Sequence, residues 1–278
     1  MNSETKICQN CKNQFTIEPE DFDFYKKIDV PPPTWCPECR LQRRLMWRNE
    51  RALYHRKCDK CKRNIVSNYA PDVKRTVFCT ECYWSDSWDA SVYGSFYDFN
   101  RNFFEQLGYL FEHVPRPNTV IRQGNVNSDY ANYTGESKNV YLSFSIVRSE
   151  DVYYSTNVID RSAKCFDSMN VTAGTELYEN IDSIRNFNSI HLIKCRECLN
   201  SAFLFDCVNC SDCFLSSNLR NKRFVFKNEQ LSESDYRKTI NRLDVGEFKN
   251  LQSFLKDFLF LLKASPHKYA EIVRSANT

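Results

Sequence analysis

The 278-residue sequence predicts a mixed α+β, mainly β chain. Its expected parts are two small cysteine-pinned modules, a linking helix, a short-period β-solenoid and a C-terminal helical cap. Three observations predict this. Eight cysteines fall into four CxxC pairs before residue 83. From about residue 125, apolar–aromatic pairs recur every 11 to 13 residues, the mark of a solenoid. Beyond residue 228 the chain turns into amphipathic, helix-forming sequence. The expected boundaries are 1–50 and 51–90 for the two modules, 91–124 for the linking helix, 125–228 for the solenoid and 229–278 for the C-terminal helices.

Composition supports a folded chain. Hydrophobic residues make up 42% and charged residues 26%, with 21 Phe and 15 Tyr to build a core,. The N-terminal stretch "MNSETKICQN" has no apolar core of a secretory signal. No apolar run approaches the ~20 residues that span a bilayer. The expectation is a cytoplasmic protein with no membrane partner. In that compartment 14 cysteines are thiols rather than a disulfide framework,, and thiols in CxxC pairs point to metal.

Cys8 and Cys11 are followed by Cys36 and Cys39; Cys58 and Cys61 are followed by Cys79 and Cys82. Each CxxC turn places two sulfurs on one side of an ion, and a second turn completes a tetrahedron. Zinc suits four thiolates, having neither redox chemistry nor a geometric preference of its own. Two Zn²⁺ per chain are therefore expected. With no ligand position left for water, both sites read as structural.

The stretch "ICQNCKNQFTI…FYKKIDVPPPTWCPECRLQRR", residues 7–44, resembles the family described as a probable zinc-ribbon domain, found in many bacterial proteins. Its CxxC, aromatic "FY" segment and proline before "CPxCR" carry the likeness. The longer string through "RNERALYHRKCDKC" is similar to cysteine-rich zinc-ribbon proteins of candidate-phyla bacteria. The resemblance implies zinc at the first four cysteines and brings no function with it.

After Cys39, "RLQRRLMWRNERAL" suits a helix. A helix starting at the second cysteine pair gives treble-clef-like geometry, with Leu41, Leu45 and Trp47 facing the knuckle. From Arg40 to Arg63 there are ten Lys or Arg against Glu50 and Asp59, a local balance of +8, while the whole chain is +3. Such a cluster is the footprint of phosphate binding. The candidate nucleic-acid contacts are Arg40, Arg43, Arg44, Trp47, Arg48, Arg51 and Arg56, with the Trp47, Tyr54 and His55 rings available for stacking. Charge compensation is the competing reading. Each zinc with four thiolates carries −2, so two sites bring +3 to −1, and arginines beside them neutralise that charge.

Phe99, Phe103, Leu107, Leu110 and Phe111 form one apolar helical face, stopped by "VPRPN". Trp84 and Trp88 are expected to pack this helix on the second module. The solenoid ladder runs Val140-Tyr141, Val152-Tyr153, Cys165-Phe166, Leu177-Tyr178, Ile190-His191, Ala202-Phe203 and Cys213-Phe214. A second ladder runs Ile146, Val158, Val171, Ile184, Cys195, Cys207. Val140, Leu142, Phe144 and Ile146 alternate as in a strand. The expected coil is about 12 residues, or about 24 if two repeats make one turn.

Cys195, Cys198, Cys207 and Cys210 have the spacing of a third metal site, which would raise the count to three. They also lie one coil apart, in ladders filled elsewhere by apolar residues, where a thiol serves as core filler. Open coil ends expose strand edges and need caps. "SESDYRKTINRL", with Ser232 ahead of Asp235, and the apolar "GEFKNLQSFLKDFLFLLKA" can supply one. The latter can equally dock on a partner or a second copy, so monomer and homodimer both stay open.

No phosphate-binding glycine loop, nucleophile elbow or HExxH motif is found. The sequence thus reads as a non-enzymatic zinc-binding protein that holds RNA, DNA or a ribosome through residues 40–63. The alternative is a protein–protein interaction scaffold with structural zinc and a solenoid binding face.

Overall fold

A computed structural model describes residues 3–46, 51–122 and 124–268. The chain forms two compact units, Met1–Glu50 and Arg51–Thr278. The first is a hairpin of β1 (Glu4–Ile7) and β2 (Gln14–Ile17), then α1 (Pro19–Lys27) and α2 (Pro37–Leu45). The second opens with a like hairpin, β3 (Tyr54–Lys57) and β4 (Asn64–Ser67), then β5 (Val77–Phe78) and α3 (Thr80–Tyr83). A 3₁₀ turn (Ala90–Tyr93), α4 (Phe103–His113) and β6 (Arg116–Pro117) lead into the solenoid, and α5 (Glu233–Asn241) and α6 (Phe248–Ala264) follow it.

The solenoid has about eight coils. Parallel strands stack in register, Val140 beside Val152, then Cys165, then Leu177, then Ser189. The opposite wall stacks Ile146, Val158, Val171 and Ser183. Consecutive ladder positions are thus paired directly, so one repeat makes one coil and the doubled coil is excluded. The single longer step is absorbed at Asp160 and Arg161, both left-handed, with φ 60° and 61°.

Within a coil the repeat is three residues, not two. Ser137, Val140, Ser143, Ile146, Ser149, Val152, Ser155 and Val158 all point inward and are buried. The residue before each next inward position is left-handed, as at Asn139, Leu142, Ser145, Arg148, Asp151 and Tyr154. Such a backbone turns the chain sharply enough to close a coil within a single repeat. Asn and Asp tolerate it best, which explains their density here. The strand alternation expected at Leu142 and Phe144 does not occur, because Leu142 is one of these left-handed turn residues.

Half of the inward positions are polar, and each is satisfied. Ser155 Oγ donates to Tyr153 O at 2.8 Å and accepts the Ser168 N–H at 3.0 Å. Ser143 Oγ donates to Tyr141 O at 2.9 Å and accepts the Ser155 N–H, also at 2.9 Å. Asn180 does the same work with its amide, donating to Ser189 O at 2.9 Å and accepting the Leu192 N–H at 2.7 Å. These side chains answer backbone groups that turn inward and cannot reach water. This corrects the ladders drawn from apolar residues alone. The inward residues are Ser183, Ser189 and Ser201 rather than Ile184, Ile190 and Ala202. With them the spacing is regular.

Both ends of the stack are closed. At the last coil, Arg223–Phe226 pairs antiparallel with Glu229–Gln230. Helix α5 lies against that strand, with Tyr236 buried and its ring 5.8 Å from Phe224. Ser232 caps α5 as expected, accepting the Asp235 N–H at 3.1 Å. Helix α6 instead covers the flank of the last coils, over Phe203, Phe205, Phe214 and Leu215. At the first coil the closing element is the second cysteine module. Strand β6 pairs with β5, and Asn118 accepts Ser67 Oγ and donates to Val66 O at 2.7 Å. The next residues then bridge onto the coil, Ile121 to Thr134 and Val126 to Lys138.

Ser155→Ala is expected to leave the Ser168 N–H buried and unpaired, costing about 1–3 kcal/mol in urea unfolding. Ser155→Cys keeps a weak sulfur acceptor for that N–H as well as a donor, and should lose clearly less. Equal losses would contradict the role given to the inward hydroxyl.

Candidate metal centres

Both clusters are built the same way. In the first unit β1 and β2 close on a knuckle in which the Lys12 N–H donates to Cys8 O at 3.0 Å and the Cys8 N–H to Asn13 O at 2.8 Å. In the second unit the Lys62 N–H donates to Cys58 O and the Cys58 N–H to Arg63 O, both at 2.9 Å. Lys12 and Lys62 are left-handed, with φ 65° and 62°, which swings the second cysteine of each pair back toward the first. The other pair of each site opens a helix, Cys36 capping α2 and Cys79 capping α3. The first module differs by carrying α1 between its two cysteine pairs.

The four sulfurs of Cys8, Cys11, Cys36 and Cys39 lie within 4.8 Å of one another, as do those of Cys58, Cys61, Cys79 and Cys82. A tetrahedron with metal–sulfur bonds of about 2.3 Å has edges of about 3.8 Å. Cys11 and Cys36 Sγ are 3.8 Å apart, and so are Cys61 and Cys79 Sγ. Two metal ions therefore fit.

Surrounding N–H groups point at the sulfurs. The Cys36 N–H donates to Cys8 Sγ and the Cys79 N–H to Cys58 Sγ, both at 3.2 Å. Asn10 Nδ2 reaches Cys39 Sγ at 3.4 Å, and the Arg63 guanidinium reaches Cys79 Sγ at 3.3 Å. Burial opposes ionisation of Cys8 and Cys58, but backbone N–H donors outweigh it and hold each thiol down at about 6. Hydrogen bonding to Cys79, followed by burial, pushes Cys82 up to about 12. Without a cation one sulfur ionises at the expense of its neighbours. An ion at the centre is what allows all four to be thiolates.

The sulfurs in the solenoid sit differently. Cys195 Sγ donates to Ile193 O at 3.4 Å and Leu204 O at 3.5 Å, and Cys198 Sγ to Arg196 O at 3.5 Å and Cys207 O at 3.6 Å. Cys207, Cys210 and Cys213 also donate to the carbonyl two residues before. These are the bonds that serine makes in the same columns. Burial raises the Cys195 thiol well above its ordinary value. Among the described residues, three or more metal-donor atoms converge only at the two N-terminal clusters. Cys195, Cys198, Cys207 and Cys210 are buried, with Cys195 and Cys207 each in side-chain hydrogen-bonding reach of a neighbouring coil's thiol as well as of carbonyls.

The basic segment is divided between the two units. Arg40 donates to the Tyr25 hydroxyl at 3.0 Å, and Arg43 lies 5.2 Å over the Trp35 ring. The Arg56 side chain is 8% exposed and grips Asp59, Ala70 O and Arg75 O. Arg44 and Arg51 are exposed; Trp47 and Arg48 lie outside the described residues. Leu41 and Leu45 are 50% and 57% exposed rather than turned to the knuckle. In a helix that begins at Cys36, the face shared with the metal ligands belongs to Cys39, Arg40 and Arg43. His55 packs edge-on against Tyr130, with centroids 6.2 Å apart. Between the second cluster and the first coil lies a cleft of about 530 Å³ lined by Arg63, Thr80, Glu81, Asn118 and Tyr130 among others. Several of its polar walls are tied to one another, Arg63 to Glu81 and Thr80 to Asn118.

No family model matches the chain, and no curated protein matches it. The likeness of residues 7–44 to zinc-ribbon domains thus rests on cysteine spacing and on the geometry just described. No helix among the described residues is long and apolar enough to cross a membrane.

Elemental analysis should find two metal ions per chain, falling to one in Cys61→Ser and unchanged in Cys198→Ala. A third ion lost with Cys198 would contradict the core assignment. Acid should release the metal, because protons compete for thiolates. The raised thiols at Cys36 and Cys82 take protons most readily, so retention of metal should fall steadily as pH is lowered.

Proposed function

We propose that the protein is a non-enzymatic scaffold for protein partners, in which two structural zinc ions hold the N-terminal modules and the second module closes the solenoid. The observation that carries this reading is closure. Each cluster supplies four sulfurs to one tetrahedron, which leaves no coordination position for water or substrate. Zinc is the ion assigned because four thiolates suit it and the site asks for no redox change. A β-solenoid closed at both ends presents a rigid, regular outer face, the kind of surface on which partners dock.

Nucleic-acid binding through residues 40–63 is the second reading, favoured by the exposure of Arg43, Arg44 and Arg51. It is weakened by Arg40 and Arg56, whose guanidinium groups are engaged within their own modules. Both readings are non-enzymatic and both use structural zinc.

The two separate on salt. The scaffold reading expects no retention on immobilised single-stranded RNA or DNA at roughly 0.15 M salt, and protein partners that persist through nuclease treatment. Retention that falls steeply with salt and is lost in Arg43→Ala with Arg44→Ala establishes the nucleic-acid reading instead.

A further inference from the structure

The sequence expects helix α4 to bury its apolar face on the second module, yet none of its residues is buried. The chain just before it is still more open. Phe96 and Phe99 are 104% and 90% exposed, and Phe104 is 76% exposed. These three rings alone leave on the order of 500 Å² of apolar surface in water, the upper end of what monomers show, and larger patches mark interaction sites. Ring contacts join Phe99 to Phe104, from Tyr97 to Phe99 at 4.9 Å, Tyr97 to Phe103 at 6.4 Å and Phe103 to Phe104 at 5.3 Å, with Phe96 next to Tyr97 in sequence.

The outward face of α4 has a definite shape. Phe104, Gly108 and Phe111 share one side of the helix by their i, i+4, i+7 spacing. A Cβ added at Gly108 would meet nothing within 4 Å. Open space therefore lies above this half-buried glycine, between a ring one turn before and a ring one turn after. This is a notch for one large apolar side chain. The Arg116 guanidinium covers one side of Phe111, 4.6 Å from its centroid. Glu105 and Glu112, seven residues apart, run along one edge of the same face.

The rim is acidic. From residue 84 to 116 there are five carboxylates, Asp86, Asp89, Asp98, Glu105 and Glu112, against Arg101 and Arg116, a balance of −3. Nucleic acid and anionic membrane are both polyanions, and this rim repels them. It attracts a basic partner.

We propose that α4 is a docking site for a basic amphipathic helix of a protein partner. The partner seats an apolar side chain in the notch at Gly108 and sets Lys or Arg, two turns apart, against Glu105 and Glu112. This is helix-in-groove recognition, with acidic edges choosing the partner's charge. It rests on the reading of the protein as a scaffold for protein partners and names one site and one partner class within it.

The test uses the full-length chain and two labelled peptides about 18 residues long, roughly five helical turns. One is an amphipathic helix of Leu and Lys, and the other has Glu in place of each Lys. Fluorescence anisotropy should show saturable, salt-sensitive binding of the Lys peptide only. Gly108→Leu puts a side chain into the notch from a Cβ position that is open, and replaces a poor helix former. It should weaken binding about tenfold or more while leaving the melting temperature unchanged or raised. Glu105→Lys with Glu112→Lys should exchange the preference toward the Glu peptide. The proposal is overturned by absent or non-saturable binding, by equal binding of both peptides, or by a Gly108→Leu protein that binds as the wild type does. A wild-type dimer that Gly108→Leu converts to monomer also overturns it, since a second copy would then cover the face. The scaffold reading survives each of these outcomes and fails separately, if no protein partner persists through nuclease treatment.

Discussion

A coil that closes within one short repeat is too tight to be filled with apolar side chains alone, and the rest of the structure follows from how that constraint is met. Closing so small a loop needs a left-handed residue at every third position, and some of the peptide groups so turned face the interior. They must be hydrogen-bonded there. Serine, asparagine and cysteine meet the need with short side chains that both donate and, in the case of oxygen, accept. Ser143, Ser155 and Ser168 link three successive coils through their Oγ atoms. Val140, Val152, Cys165 and Leu177 supply the apolar column beside them. The solenoid thus has a half-polar core with its hydrogen bonds made, rather than an oily one.

A stack of parallel coils has two open ends, and the two are closed by different chemistry. The C-terminal end folds its own strand back and lays α5 against it. The N-terminal end has no helix to spare. Its closing element is the small second module, held by a β5–β6 pairing and by Asn118, which contacts β4, Thr80 and Ser67 at once. A module of this size has little core beyond Cys58, Ile65, Val77, Phe78 and Cys79. A metal held by its four cysteines would therefore contribute directly to the closure of the solenoid.

How much of this can be read in advance depends on how local each signal is. The CxxC pairs are local and self-contained, so the two clusters and their helix-opening second pairs are legible from spacing alone. The solenoid is legible from its repeating Val, Ile and Leu. Its triplet is not, because Ser149, Ser189 and Asn186 look like surface residues until the coil is closed; the Asn and Asp recurring at multiples of three are the available signal. Cys195 to Cys213 are ambiguous in sequence because a thiol can ligate or can replace serine, and the carbonyl contacts show only that these thiols make serine's bonds. Leu41 and Leu45 fall on the wrong side in a sequence reading because a helix that starts at a metal ligand spends its inner face on that ligand. The capping role of the second module lies in contacts from Ser67 to Asn118, far apart in sequence. Nor can an apolar face on α4 say whether it is covered from within or left for a partner.

The solenoid of about eight coils is closed at its first coil by a four-cysteine module that fits a metal ion. A metal bound at Cys58, Cys61, Cys79 and Cys82 would secure the first coils through the module that closes them,. Amide hydrogen exchange with and without a chelator tests this most directly. Metal removal should speed exchange in the second module and in the first coils, at the Arg122, Val126 and Asn139 N–H groups, while the Cys213 and Asn228 N–H groups stay protected. Unchanged exchange at the first coils after complete metal loss would contradict the account.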